Sequence, residues 1–146
     1  MHARQQIREA LGLALTGLAL TGSRVYPNRL YSLPSDLAPS ISVFTGSERQ
    51  SGLDEMGSDS FRVLSIVIEI RVKSANGVDA TLDTICADVE NAISADQTIG
   101  GAVKDVEYQS TEIGLDSETE KPIALGRISY DALYRVDPKN SNTIIG

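Results

Sequence analysis

The stretch Phe61–Lys73, FRVLSIVIEIRVK, limits the possible folds of this chain more than any other part of it. Leu64, Ile66, Ile68, Ile70 and Val72 recur at period two and put an unbroken aliphatic row on one face. The opposite face reads Phe61, Val63, Ser65, Val67, Glu69, Arg71, Lys73, apolar at its start and charged at its end. This pattern predicts a long central strand, covered on one side throughout and on the other for only half its length. At roughly 3.3 Å per residue the stretch spans on the order of 40 Å. Nothing in it looks catalytic.

With 146 residues, 41% of them apolar, the chain can bury one domain core. Its net charge of −7 weighs against a nucleic-acid grip, which needs a basic surface. Cys86 is the single cysteine, so no internal disulfide supports the fold. The run LGLALTGLALTG after Arg4 and Arg8 resembles the apolar core of a signal peptide. Glu9 adjoins it and no small-x-small cleavage site closes it, so it is expected to be retained. It is too short and too glycine-broken to span a bilayer.

Residues Ala3 to Leu20 read as a first helix, with Ile7, Leu11, Ala14 and Leu18 as its apolar stripe and Ala10 beside it. Gly12 and Gly17 either mark close backbone packing or loosen the last turns, and Gly22 is the expected stop. Val25 to Tyr31 is a short extended piece that Pro27 confines to an edge. A turn-rich linker, LPSDLAPS, leads to a short strand at Ile41–Thr45. Gly46–Ser60, GSERQSGLDEMGSDS, reads as a long acidic loop, in which Leu53 and Met56 are either partner contacts or tucked back on the domain.

After the central strand, Asp79 is the expected N-cap of a second helix. Leu82, Ile85, Cys86, Val89 and Ile93 form its apolar stripe, which makes Cys86 a buried structural thiol. Val103–Ile113 is a weaker strand with Val106 and Tyr108 facing inward, followed by a second acidic loop, Gly114–Lys121. Ile123–Val136 is the last strand. Its apolar phase is odd before Gly126 and even after it, which predicts a bulge there. The expected architecture is α+β: one domain over residues 1–136 with a mainly antiparallel sheet, two helices packed on one face and a long acidic loop at 46–60. Residues 137–146 are expected to form a polar tail.

The search for chemistry finds little. His2 is the only histidine and sits at a terminus. One Cys and one His exclude a structural zinc spacing, and neither a phosphate loop nor a Gly-x-Ser-x-Gly elbow occurs. The acids of the two loops, Glu48, Asp54, Glu55, Asp59, Asp116, Glu118 and Glu120, read as solvated faces rather than a cation site. The expectation is a protein without catalytic residues, cofactor or metal.

Several stretches, in this order, carry a resemblance: RQQIREAL in the opening helix, LPSDLAPSISVFTGSE entering a short strand, an acidic loop ending SDSF, IEIRV in the long strand, VDATLDTICADVENAI in the second helix and ISYDALYRV in the last strand. Together they make the chain resemble the phage tail terminator family over nearly its whole length. The match lies in order and hydrophobic phase rather than in rare residues. The resemblance implies a virion protein of the tail and neck, assembled in the host cytoplasm. Such a protein forms a hexameric ring on the tail tube, stops tube growth and offers a surface to the head connector or neck protein. DNA passes through the ring without sequence-specific binding, and an acidic bore would repel its phosphates. Other neck, head–tail connector or tail completion proteins share similar layouts. A small-ligand or regulatory α+β module is a further reading, and would need a concave apolar pocket.

A half-apolar second sheet face wants a partner, and a further copy of the chain is the simplest source. The candidate interface residues are Leu53, Met56 and Arg49 in the acidic arm; Val63, Val67, Glu69 and Arg71 on the second face of the central strand; and Arg24, Tyr26 and Arg29.

Overall fold

The computed structural model describes residues 1–28, 38–51, 61–73, 77–116 and 123–145. The chain is α+β, and its described residues form two helices and a six-stranded, mostly antiparallel sheet. The elements are α1 (Ala3–Leu15), β1 (Val25–Tyr26), β2 (Ser40–Gln50), β3 (Phe61–Lys73), α2 (Val78–Ala95), β4 (Asp105–Asp116), β5 (Ile123–Asp137) and β6 (Asn140–Ile144). The strand order is β1-β2-β3-β5-β4, with β6 added to β5. β3 and β4 each run antiparallel to β5, so they are parallel to one another with β5 between them and α2 joining them.

The aliphatic row of β3 dictates where the core lies. Leu64, Ile66, Ile68, Ile70 and Val72 are all buried. They stand beside Ala132, Tyr130, Ile128, Gly126 and Ala124 of β5, on the face that α2 covers. Leu82, Ile85, Cys86, Val89 and Ile93 of α2 close over these rows. Ile7, Leu11 and Leu15 of α1 join the same core on the β2 side. One helical layer thus packs on one face of one sheet.

Several details depart from the sequence pattern. Helix α1 stops at Leu15 rather than Leu20, because Thr16 is extended and Gly17 has φ 94°. A tight turn then closes through Gly22 N–H to Leu18 O, 2.8 Å. Leu15 takes the buried place in the stripe, while Ala14 is exposed. Gly12 is a close-approach glycine: a Cβ there would stand 3.2 Å from Pro27 Cβ. The N-cap of α2 is Gly77, at φ 68°, and Asp79 instead lies in the first turn.

Strand β2 runs on to Gln50, so residues 46–50 of the expected acidic loop are strand, with a bulge between Thr45 and Glu48. The expected bulge at Gly126 is absent. The β3–β5 register passes through Ile70↔Gly126 unbroken, and Ala124, Gly126, Ile128 and Tyr130 share the buried phase. The apparent phase slip in the sequence arises because Ile123 and Leu125 are apolar residues on the opposite, open face, in register with Lys73 and Arg71. Tyr108 faces inward as expected, in register with buried Tyr130 and with its ring 5.8 Å from that ring, but at the sheet edge it stays 48% exposed. Residues 140–144 of the expected tail form β6, registered on Val136 and Asp137.

Candidate functional site

The face of the sheet turned away from the helices holds the side chains that the core does not use. The β3 residues there are Phe61, Val63, Ser65, Val67, Glu69, Arg71 and Lys73. Phe44 of β2 pairs in register with Val67, and Leu133 of β5 with Val63. Phe44, Phe61, Val63, Val67 and Leu133 are only half-buried, and no described helix lies over them. The Arg135 guanidinium sits 5.4 Å from the Phe61 ring centroid, near enough for a cation–π contact.

Toward the other end of β3 this face becomes ionic. Glu69 is buried, at 9% exposure, and accepts from Arg71 Nε at 3.2 Å and from Arg127 Nε at 2.9 Å. Two cations on one carboxylate supply the pairing that a buried charge needs. Glu69 is therefore fixed within its own chain.

A second charged cluster lies at the far end of β2, beside the start of α1. An open cleft of about 640 Å³ is lined by Arg4, Gly46, Glu48, Arg49, Gln50 and Arg62. Glu48, expected in a solvated loop, is a strand residue with a side chain only 12% exposed. It accepts from Arg4 Nη1 at 2.5 Å and from Arg62 Nη1 at 3.5 Å, and the Tyr134 hydroxyl donates to it. Burial works to raise the Glu48 carboxyl. The Tyr134 and Arg4 hydrogen bonds and the Arg4 and Arg62 charges outweigh it, and its pKa lies below the ordinary value. Burial, then the Glu48 hydrogen bond, push Tyr134 up to about 12.

His2 caps α1, its Nδ1 accepting from the Arg4 backbone N–H at 3.0 Å. Burial, then the Arg4 charge, lower its pKa. Its side chain therefore serves the helix start. Burial also pushes the Cys86 thiol up to about 11, and Cys86 lies inside the core. Among the described residues no three His, Cys, Asp or Glu side chains are grouped to hold a metal ion.

The sequence-chosen residues therefore scatter. Val63, Val67, Glu69 and Arg71 share the open face. Arg49 is exposed at the cleft. Tyr26 is half-buried in β1. Arg24 ties the turn after α1 to β2, donating to Pro39 O at 2.8 Å and Leu20 O at 3.0 Å. Leu53, Met56 and Arg29 lie outside the described residues. Sequence reasoning missed the Glu48 cluster and the exposed apolar side chains of β4. A bulge in β2 hid the first. For the second, the signal was present in Ile113 and Leu115, spaced two apart.

No protein-family model matches the chain, and no curated protein matches it.

Proposed function

We propose that this protein is a structural ring-former of the tail terminator kind, which caps a phage tail tube and presents a joining surface to the head. The observation that carries this reading is the open sheet face. Phe44, Phe61, Val63, Val67 and Leu133 are half-buried there, without a described helix over them, while the helix-covered face holds the whole core. A sheet apolar on both faces gains by burying the second against another chain. Like copies arranged about an axis do this without a second gene product. The resemblance in element order adds the context of tail and neck. The chain charge of −7 is compatible with a ring whose bore repels DNA phosphates.

Native mass spectrometry and negative-stain imaging of the purified protein, alone and with tail tubes, test this. Rings seated on tube ends support it. A chain that stays monomeric in solution and on tubes overturns it.

A further inference from the structure

On the helix side of the sheet, the C-terminal half of α2 leaves a groove against the paired strands β5 and β4. The groove has a volume of about 240 Å³, and its walls include Glu90, Asn91 and Gln97 from α2 and the turn after it, and Val106, Tyr108 and Tyr130 from the sheet. Tyr108 and Tyr130 stand in register, and their rings meet edge to face, 5.8 Å apart at 83°. The two hydroxyls differ. That of Tyr108 shares a hydrogen bond with Thr111 Oγ1 at 2.6 Å, which pins the ring along the strand. Tyr130 is only 5% exposed. Its hydroxyl is not sealed in, and has no hydrogen-bond partner among the described residues. A buried tyrosine hydroxyl ordinarily finds a partner, so this one is available to whatever enters the groove that the ring lines.

Glu90 gives the groove its charge. It is half-buried on α2 and pairs with no cation among the described residues. Its own helix cannot neutralise it: residues 74–103 hold five acids and no Lys or Arg, and β4 holds no Lys or Arg either. Burial first, and then the Glu90 charge, hold the Tyr130 phenol up to about 12. The carboxylate and the free hydroxyl therefore share one space.

Size and chemistry together narrow the occupant. The groove is smaller than the roughly 300–1,000 Å³ of a cofactor or drug-sized pocket, and suits one extended side chain. Buried Val106 and the half-exposed Tyr108 ring offer apolar surface to an aliphatic stem. The carboxylate and the phenol oxygen accept hydrogen bonds, and the face of a tyrosine ring attracts a cation. A guanidinium uses all of these at once, since its planar fork pairs with a carboxylate while its face stacks on an aromatic ring; an ammonium cannot do both. One lining carboxylate calls for one cation.

We infer that the groove between α2 and β4 is a receptor site for a single arginine side chain of a partner protein. The stem lies over Val106 and the Tyr108 ring, the guanidinium pairs with the Glu90 carboxylate, and the Tyr130 hydroxyl accepts one of its N–H groups. Asn91 and Gln97, exposed at the rim, offer further amide oxygens. The groove belongs to one chain, so the inference goes beyond the ring reading and does not depend on it.

Binding of N-acetyl-argininamide to the full chain tests it, followed by the tyrosine ring and side-chain amide signals in NMR spectra. Shifts should gather at Tyr108, Tyr130, Asn91 and Gln97. N-acetyl-citrullinamide has nearly the same shape without the charge, and should bind at least about tenfold more weakly. Glu90→Gln should weaken the arginine probe at least about fivefold, and Tyr130→Phe at least about twofold. Backbone signals unchanged away from the groove show that each variant is folded. Glu107→Gln removes an exposed acid of β4 on the other face of the sheet and should leave binding as in wild type. If Glu90→Gln and Glu107→Gln lose binding equally, the chain's overall charge of −7 attracts the probe and the site is overturned. Equal binding of the two probes, or an arginine probe that leaves both tyrosines unshifted, overturns it as well.

Discussion

Gly126 of β5 passes directly beneath Leu82 of α2: a Cβ added at residue 126 would stand 3.0 Å from Leu82 Cδ1 and 3.6 Å from Cys86 Sγ. The helix can lie this close to the sheet because residue 126 has no side chain. Leu82 is fully buried and has little room to yield. Gly126→Val should therefore cost about 1–3 kcal/mol by overpacking. Leu82→Ala alone should cost about 2–5 kcal/mol by leaving a cavity. Combined, the two should cost clearly less than their sum, since the valine fills space the leucine vacated. Urea unfolding of the four proteins gives the cycle; strict additivity would place residue 126 away from the helix.

That contact also explains what was legible in the sequence. The β3 row and the α2 stripe were readable because burial on one face imposes a period on each. Gly126 was misread as a bulge because a helix crossing looks, in one dimension, like a break in apolar phase. Ile123 and Leu125 misled for a related reason: they are apolar on the open face, which sequence cannot tell from the core. Glu48 was hidden by the bulge between Thr45 and Glu48, which returns the strand to register after two residues that carry no pattern. Its partners Arg4, Arg62 and Tyr134 come from three distant segments, and local spacing does not encode that meeting. The open face itself was foreshadowed by the change from Val67 to Glu69.

The Glu48 cluster should make stability depend on acid. In the folded chain the Glu48 carboxyl lies below its ordinary 4.5, so on acidification the unfolded chain takes up the proton first. The stabilisation is complete above about pH 4.5 and is lost as pH falls through the folded value. Glu48→Gln should be less stable than wild type at pH 7, and the gap should narrow by pH 3. Unfolding free energies measured from pH 3 to 7 would settle this, and a gap constant across the range would show that Glu48 is solvated.

At the alkaline end the sign reverses. Tyr134 is held up to about 12, against an ordinary 10.0, by burial and by its bond to Glu48. Above pH 10 the unfolded chain loses this proton first, so stability falls as pH rises toward 12. Tyr130, raised to about 12 mainly by burial, adds to the same fall. Tyr134→Phe should lose one share of that dependence and keep the other. A phenolate absorbance titration alongside the unfolding curves would detect it. An ordinary titration near pH 10 for both tyrosines would remove the basis of the effect.

Cys86 should resist thiol reagents while the chain is folded. Its thiol is pushed up to about 11 from an ordinary 9.0, first by burial and then by Glu90 and Asp83. Two pH units less acidic means about a hundredfold less thiolate at pH 8, before any steric protection by the core is counted. Labelling by a disulfide reagent should therefore be at least that much slower than in urea. Native labelling at the unfolded rate would mean that α2 opens readily from the sheet.

Neighbouring residues on β3 separate the core from the open face. Ile68 is fully buried against Ile128 on the helix side, while Val67 is half-buried opposite Ser129 on the other. A carboxylate at residue 68 has no water and no cation to pair with, so Ile68→Glu should leave the chain unfolded or cost more than about 4 kcal/mol. At residue 67 a carboxylate can still reach solvent in the free monomer. Val67→Glu should therefore cost about 1 kcal/mol or less in the monomer and disturb association far more. Thermal unfolding and native mass spectrometry of the two variants side by side measure both effects. If Val67→Glu unfolds the monomer as Ile68→Glu does, both faces of the strand belong to the core of a single chain. A folded Val67→Glu that has lost its assemblies would show that the second face is built for a neighbour.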